Sequence, residues 1–296
     1  MATESNHVEE YLDIFRKILP LPIIQFETNI VNHCNLNCRS CDHISPLSDK
    51  WFADVFAFQK DMERMAEIFD SQARYVRLVG GEPLLHPSIS SFFRIARNCF
   101  PNASVELWTN ALLLTEMNED FWVACKQFDI LINVTKYPIS LDYANISAIA
   151  ERKFVRLKFF DNGKTVNSFN NNSFDLTGQR DTRTSFLLCP NANRHITLAQ
   201  GGLIYPCDKA PHISILNRYF GTTLKVSNRD FINIHTDITA EDIFQFLSRP
   251  IPFCRYCNIS ERMKESCWAR SKREINEWVL DASHGIPDNN QADGGN

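Results

Sequence analysis

Hydrophobic positions between residues 23 and 160 alternate between two spacings. Short β-rich runs at residues 23–31 and 75–79 predict buried strands, whereas Phe58, Met62 and Met65 recur at the spacing of an amphipathic helix. Further strand and helix patterns follow at residues 89–100, 105–109, 117–126, 130–134, 141–149 and 155–160. Such alternation predicts an α/β fold with a parallel sheet and right-handed crossovers. Five or six strand–helix units suit a partial barrel better than a complete eight-stranded barrel, which takes about 250 residues.

The alternation stops near residue 160. Residues 161–185 are polar with an Asn-rich centre and predict a long loop or lid. A hairpin is predicted around Gln200-Gly201-Gly202, a helix start at Thr239 with Asp242, and a closing helix over residues 268–280. We therefore divide the chain into an N-terminal extension (1–22), a barrel (23–180), a second domain (181–283) and a polar tail (284–296) that we predict to be disordered.

Composition and charge narrow the class of protein. The chain is 44% hydrophobic and 22% charged, as in ordinary globular domains, and its formal net charge of −4 provides no basic field for nucleic acid. No apolar run reaches the roughly 18 residues of a membrane span, and the acidic first residues do not resemble a signal peptide. We expect a cytoplasmic protein with neither nucleic acid nor membrane as a partner.

Ten cysteines in such a protein indicate metal ligation or redox chemistry rather than disulfides. Cys34, Cys38 and Cys41 form a CxxxCxxC loop directly after the first predicted strand. Three thiolates on one loop can ligate three irons of a [4Fe–4S] cluster and leave the fourth iron open. A zinc loop completed by His33 or His43 is the alternative.

The second predicted strand ends in a Gly-Gly-Glu-Pro segment, Gly80 to Pro83. Two glycines at a strand end allow a ligand to approach the backbone closely. The exposed backbone groups, together with Glu82, can receive an ammonium group. The alternative is a plain Gly-Gly turn in which proline begins a loop.

The CxxxCxxC loop followed by Gly-Gly-Glu-Pro resembles the radical S-adenosylmethionine superfamily over roughly residues 23–160. This resemblance implies a partial (β/α)6 TIM-like barrel, a [4Fe–4S] cluster on the three loop cysteines, and S-adenosylmethionine chelated to the open iron. It further implies reductive cleavage of S-adenosylmethionine to a 5′-deoxyadenosyl radical. The cofactor-binding residues it implies are Gly80, Gly81, Glu82, Pro83, Thr109 and Asn110. Ser40 departs from the superfamily, in which an aromatic residue often precedes the third cysteine.

A second set of cysteines comprises Cys189, Cys207, Cys254 and Cys257. Four thiols can close a tetrahedral zinc site or fully ligate an iron–sulfur cluster. The spacing resembles the SPASM and shorter twitch domains of radical S-adenosylmethionine enzymes, and its layout is most similar to that of 2-deoxy-scyllo-inosamine dehydrogenase. The resemblance implies a small α+β twitch domain with one auxiliary [4Fe–4S] cluster. Because such a cluster has no open iron, its simplest use is to accept an electron.

The remaining candidates are weaker signals. Cys99 and Cys125 follow apolar helix stripes and are predicted to be core residues, whereas Cys267 is a structural thiol, a ligand or a hydrogen donor. Lys136 and Tyr137 follow the fourth strand and are candidate catalytic residues. Arg180 and Arg183 are candidate substrate-binding residues that would clamp a phosphate, although a surface charge run explains them as well. His43 and His86 are further candidates.

We therefore predict an oxidoreductase that dehydrogenates a small hydroxylated substrate, such as a sugar or cyclitol, and draws electrons from a donor such as flavodoxin or ferredoxin. One alternative is a maturase that crosslinks or epimerises a ribosomal peptide, although only about 20 residues precede the first strand, too few for a leader-binding domain. The other alternative is a zinc-knuckle binding protein.

Overall fold

The computed structural model describes residues 18–19, 21–169, 173–194, 196–259 and 266–280. The predicted tail of residues 284–296 and most of the predicted N-terminal extension lie outside the described residues. Within the described ranges, no helix combines the length and the apolar character that crossing a membrane takes.

Five strands and four helices alternate through the first half of the chain, as the hydrophobic pattern predicts. They are β1 (Phe26–Val31), α1 (Val55–Ile68), β2 (Tyr75–Gly80), α2 (Ile89–Cys99), β3 (Ser104–Thr109), α3 (Glu119–Gln127), β4 (Leu131–Val134), α4 (Tyr143–Arg152) and β5 (Arg156–Phe159). Strands adjacent in this order pair in parallel. Asp54, Asn118 and Asp142 cap α1, α3 and α4 by accepting backbone N–H groups. The α/β fold class is confirmed.

The second half of the chain extends the same sheet from the other side of β1. Strand β7 (Thr197–Ala199) pairs in parallel with β1, and β8 (Leu203–Tyr205) and β9 (Ile232–Asn233) follow as antiparallel strands. The full order is β5-β4-β3-β2-β1-β7-β8-β9, which confirms the predicted hairpin. Both halves of the chain therefore meet at β1, beside the first cysteine loop. The domain boundary near residue 180 stays a prediction.

The remaining elements are short: β6 (Ser168–Phe169), α5 (Thr182–Leu188), α6 (Ile213–Phe220), α7 (Ala240–Leu247) and β10 (Ser266–Cys267), which pairs with β6. A capping box at Thr239 and Asp242 starts α7, as predicted. The predicted loop of residues 161–185 contains β6 and the beginning of α5.

The predicted closing helix over residues 268–280 is wrong. This segment is extended, apart from one 3₁₀ turn at Ile275–Glu277. Its backbone groups pair with the first cysteine loop, because Ala269 accepts from the Arg39 N–H and Ser271 donates to the Asn37 carbonyl. Hydrogen bonds to a distant segment thus replace the internal bonds of a helix.

Two hydrophobic cores support this arrangement. The larger lies among the strands and α1–α4 and includes Cys125, with Cys99 packed against it, as predicted. The smaller core belongs mainly to the second half of the chain and includes Phe174, Phe253 and Trp278. It packs beneath the second cysteine set.

Candidate active site

The first cysteine loop and the ends of β2 and β3 enclose one cavity of about 290 Å³. The structure brings these predicted residues together although they are far apart in the sequence. The lining residues among the predicted cofactor-binding and metal-ligating positions are Cys34, Cys38, Cys41, Gly80, Gly81, Thr109 and Asn110. Glu82 and Pro83 are not among the lining residues. The cavity opens at the carboxyl ends of parallel strands, where the sites of α/β folds are expected.

The two glycines serve close packing of the backbone. A Cβ atom at Gly80 would lie 2.1 Å from the Val31 carbonyl oxygen, and one at Gly81 would lie 2.0 Å from the His33 carbonyl oxygen. Gly81 N–H donates to the Val31 carbonyl over 2.6 Å. The glycines therefore allow the end of β2 to rest directly against the beginning of the cysteine loop.

Glu82 is fully buried and braces β2 against β3. Its carboxylate accepts hydrogen bonds from Thr109 Oγ1 at 2.7 Å, from Asn110 N at 3.0 Å and from Leu84 N at 3.1 Å. Burial raises the pKa of Glu82 to about 7, although these three donors oppose the shift. Through this brace, Glu82 positions the residues that line the cavity, while its own carboxylate is engaged behind the wall.

Cys38 is buried and Cys34 and Cys41 are half-buried, and N–H groups point at the sulfurs of Cys34 and Cys38. Burial raises the pKa of Cys34 to about 11 and that of Cys38 to about 12. Cys34 Sγ accepts from Leu36 N at 3.4 Å, and Cys38 Sγ accepts from Trp268 Nε1 at 3.2 Å. Thiols with raised pKa values become ligands when a bound cation displaces their protons. The donor set therefore fits an anionic metal–thiolate group.

Residues 268–279, which we call the clasp, run across the outer side of the cysteine loop. Ser40 Oγ donates to the Glu277 carbonyl at 2.6 Å, and Trp278 Nε1 donates to the Cys41 carbonyl at 2.9 Å. Cys38 and Arg270 form an antiparallel bridge. Sequence reasoning missed the clasp because backbone pairing of this kind leaves no side-chain pattern.

The second cysteine set is brought together from three elements. Cys189 ends α5, Cys207 follows β8, and Cys254 and Cys257 lie in and directly after a 3₁₀ turn at Pro252–Tyr256. Burial is the main reason that the pKa of each thiol is raised. The negative charges of other members contribute at Cys207, Cys254 and Cys257, which shows their proximity. The four positions thus fit one fully ligated metal group.

Glu27, His43 and Asp208 form a polar wall of the cavity. Their ligand atoms lie within 4.8 Å of one another, and all three residues line the cavity. His43 Nδ1 lies 2.8 Å from the Gly80 carbonyl, which can only accept, so Nδ1 carries a proton. Nε2 faces Glu27 at 4.0 Å; burial opposes protonation of the ring, but Glu27 and the other nearby negative charges raise the pKa of His43 to about 10. The sequence analysis did not predict Glu27 or Asp208 as site residues, although Asp208 directly follows the predicted ligand Cys207.

The other candidate residues lie in different surroundings. Tyr137 lines the cavity, whereas the Lys136 ammonium lies over the Phe159 ring, 4.2 Å from its centroid. Arg180 donates to Asp175 at 2.6 Å. Three further candidates do not line the cavity. Arg183 is exposed on α5, and Cys267 is also exposed. His86 is hydrogen-bonded to the Ala53 carbonyl.

Comparisons with known proteins agree with this site. Residues 27–145 match the family model described as a 4Fe-4S single cluster domain. An 88-residue segment is 28% identical to a GTP 3′,8-cyclase of Sulfurovum sp. (strain NBC37-1), covering 30% of this chain and 27% of the cyclase. The match thus spans about a quarter of that relative's length.

Two solved structures share the fold. BtrN in complex with AdoMet and 2-DOIA aligns with a TM-score of 0.51 at 16% identity, over 81% of this chain and 94% of BtrN. Native anSMEcpe with bound AdoMet aligns with a TM-score of 0.50 at 14% identity, over 86% of this chain and 94% of that protein. At these identities the likeness concerns the fold. The family model covers the cysteine loop and the strands that enclose it, so the comparisons agree with a 4Fe-4S single cluster domain at this site and with the fold of two solved structures that bind AdoMet.

Proposed function

We propose that this chain is an oxidoreductase that dehydrogenates a hydroxyl-bearing carbon of a small polar substrate such as a sugar or cyclitol. The observation that carries the proposal is the polar wall of Glu27, His43 and Asp208. Its carboxylate oxygens accept hydrogen bonds from hydroxyl and ammonium groups. His43 follows Cys41 by two positions and Asp208 directly follows Cys207, so a substrate held at the wall lies near residues of both cysteine sets.

In the proposed reaction, one hydrogen atom, one proton and one electron leave the substrate. Cys34, Cys38 and Cys41 would hold a [4Fe–4S] cluster, which when reduced and combined with S-adenosylmethionine would supply a 5′-deoxyadenosyl radical able to take one hydrogen atom from the carbinol carbon. The hydroxyl proton passes to a group of the polar wall, and one electron leaves the substrate, giving a ketone. That electron balances the one spent in cleaving S-adenosylmethionine to methionine and 5′-deoxyadenosine. A flavodoxin or ferredoxin is the donor class we propose.

An auxiliary [4Fe–4S] cluster bound at the second cysteine set would supply the one-electron acceptor. One observation supports this assignment: the four thiols lie close enough together for their charges to act on one another. Lys209 lies beside this set and pairs with Asp42 of the first loop at 3.0 Å. The chain's own residues thus connect the two sites directly.

Deuterium transfer tests the proposal. The anaerobically reconstituted protein is supplied with S-adenosylmethionine, dithionite and one carbon-deuterated compound: 2-deoxy-scyllo-inosamine, myo-inositol, glucose or a set of short peptides. We expect deuterium in 5′-deoxyadenosine and a ketone product with a cyclitol or sugar. Transfer from peptides alone would contradict the proposal and favour a peptide maturase.

Two variants sharpen this experiment. Glu27→Gln is expected to reduce deuterium transfer while slow, substrate-independent cleavage of S-adenosylmethionine persists. Glu63→Gln makes the same chemical change at an exposed position of α1 and is expected to behave as wild type. Equal transfer in all three proteins would show that the polar wall does not hold the substrate.

A further inference from the structure

Trp268 lies against a sulfur of the first cysteine loop although 230 residues separate the two in the chain. Its indole Nε1 is 3.2 Å from Cys38 Sγ and donates a hydrogen bond to it. Cys38 is 9% exposed, so water has little access to compete for this sulfur. An N–H donor to a buried thiolate is a strong, charge-assisted contact.

The position of the indole is fixed from several directions. The Trp268 backbone N–H donates to the Asn167 carbonyl at 2.7 Å, and the next residue, Ala269, accepts from the Arg39 N–H at 2.8 Å. The Tyr137 ring, which lines the cavity, lies 6.0 Å from the Trp268 ring between centroids. Backbone bonds on both sides thus hold the indole N–H on the sulfur.

The far end of the clasp is anchored beside the second cysteine set. Phe174 donates to the Trp278 carbonyl at 2.7 Å, and Leu280 donates back to the Phe174 carbonyl at 3.0 Å. On its other edge, Phe174 forms an antiparallel bridge with Cys257. A continuous line of backbone hydrogen bonds therefore runs from the second cysteine set through Phe174 to the clasp.

We propose that Trp268 is a positioning residue that donates its indole N–H to the Cys38 sulfur and thereby makes the cluster held by this loop easier to reduce. The inference rests on the proposed function, since it takes Cys38 as a cluster ligand. Adding one electron from the external donor increases the negative charge on the ligand sulfurs. An N–H donor stabilises the reduced state more than the oxidised state, and hydrogen bonds to the sulfurs are among the factors that set such potentials.

The test is a potentiometric titration of reconstituted protein, followed by electron paramagnetic resonance. The signal that changes when S-adenosylmethionine is added identifies the cluster with the open iron. At the potential that half-reduces this cluster in wild type, we expect Trp268→Phe to lower the ratio of reduced to oxidised cluster about threefold to tenfold. The change removes the N–H and keeps an aromatic ring.

Trp278→Phe is the matched control. It removes an indole N–H from the same clasp, but that N–H donates to the Cys41 carbonyl rather than to a sulfur. We expect its ratio to stay within about twofold of wild type, since the Cys41 carbonyl oxygen is separated from the ligand sulfur by Cβ, Cα and the carbonyl carbon and changes little with the charge of the sulfurs. Equal shifts in both variants would overturn the proposal, because the cause would then be packing of the clasp.

An unchanged ratio in Trp268→Phe with full iron content would also overturn the proposal. If Trp268→Phe does not bind iron, the titration is replaced by a measurement on the Trp278→Phe protein, which keeps Trp268 and carries ¹⁵N in its indole rings. A hyperfine coupling between an indole nitrogen and the reduced cluster is then expected, and its absence overturns the proposal. Failure of the proposed function looks different: zinc in place of iron, or a spectrum that S-adenosylmethionine leaves unchanged.

Discussion

Ser40 Oγ donates a hydrogen bond of 2.6 Å to the carbonyl oxygen of Glu277, a residue 237 positions further along the chain. Ser40 is 4% exposed and has a left-handed backbone conformation, with φ of 57°. The loop therefore turns at Ser40 so that its hydroxyl fastens the clasp. A small side chain here, in place of the aromatic residue common in the superfamily that the sequence resembles, leaves room for the clasp to pack.

Substitutions at Ser40 are expected to separate the hydrogen bond from the size of the side chain. Ser40→Ala loses one buried hydrogen bond and should lower the free energy of unfolding by about 1 kcal/mol. Ser40→Tyr also overpacks the site and should cost about 3 kcal/mol. Anaerobic urea unfolding followed by tryptophan fluorescence measures both. A Ser40→Tyr protein as stable as wild type would contradict the packing of the clasp described above.

Gly81→Ala is expected to abolish iron binding at the first loop. Its Cβ would lie 2.0 Å from the His33 carbonyl oxygen, and that oxygen belongs to backbone that leads into Cys34. Gly201→Ala is the control, because its Cβ would meet no atom within 4 Å and only its positive φ of 91° opposes the change. We expect the control to lose about 1 kcal/mol of stability and no iron. Iron analysis of purified protein and urea unfolding distinguish the two outcomes.

Asp175 is expected to make the fold sensitive to acid. Burial by itself would raise the pKa of Asp175, but donors from Thr177 and Arg180 outweigh it and lower this pKa. A carboxyl group whose pKa is lower in the folded than in the unfolded state stabilises the fold above its unfolded pKa, and this contribution is lost as the pH falls. Asp175→Asn should therefore flatten the decline of the free energy of unfolding between roughly pH 5 and pH 3.

Urea unfolding at a series of pH values checks this prediction, with the exposed Asp161→Asn as the control. Arg180→Gln should reproduce part of the effect, because its guanidinium donates to Asp175 at 2.6 Å. A Michaelis constant that rises in Arg180→Gln with an unaltered acid profile would instead support the predicted role of Arg180 in substrate binding.

The two cysteine sets are expected to bind iron independently. Wild type should hold about eight iron atoms per chain, and replacing Cys34, Cys38 and Cys41 by alanine should leave about four. Cys254→Ala with Cys257→Ala should remove the other four. Cys125→Ala changes a buried core cysteine and should retain full iron content. Retention of eight irons in the triple variant, or zinc in any of these proteins, would contradict the assignment.

The double variant needs one additional measurement. Because Phe174 bridges Cys257 to the clasp, loss of the second set is expected to loosen the clasp as well. Formation of 5′-deoxyadenosine should therefore be measured beside ketone formation. Cleavage that continues without ketone indicates a missing electron acceptor, whereas loss of both indicates damage to the first site.

The sequence predicted those features that depend on neighbouring positions. Hydrophobic spacing predicted the strands and helices up to residue 160. Each helix buries one face and each strand buries one or both faces, and these patterns repeat over a few neighbouring residues. Gly201 and Gly202 predicted the hairpin, and Thr239 with Asp242 predicted a helix start, because both are local backbone requirements. Cysteine spacing similarly singled out seven thiols, since ligands on one short loop reach one metal group.

The tertiary structure alone decided what surrounds those thiols. Lys136 and Tyr137 both follow the fourth strand, so the sequence predicts the same role for each. Of the two, Tyr137 lines the cavity, whereas the Lys136 ammonium lies over the Phe159 ring. Trp268 and Ser40 become partners of the cysteine loop through hydrogen bonds across more than 200 residues. Such contacts depend on where the cysteine loop and the clasp meet in space, so no spacing in the sequence marks them. The sequence by itself therefore determined which residues can hold the metal groups, whereas the tertiary structure decided which polar groups set their environment.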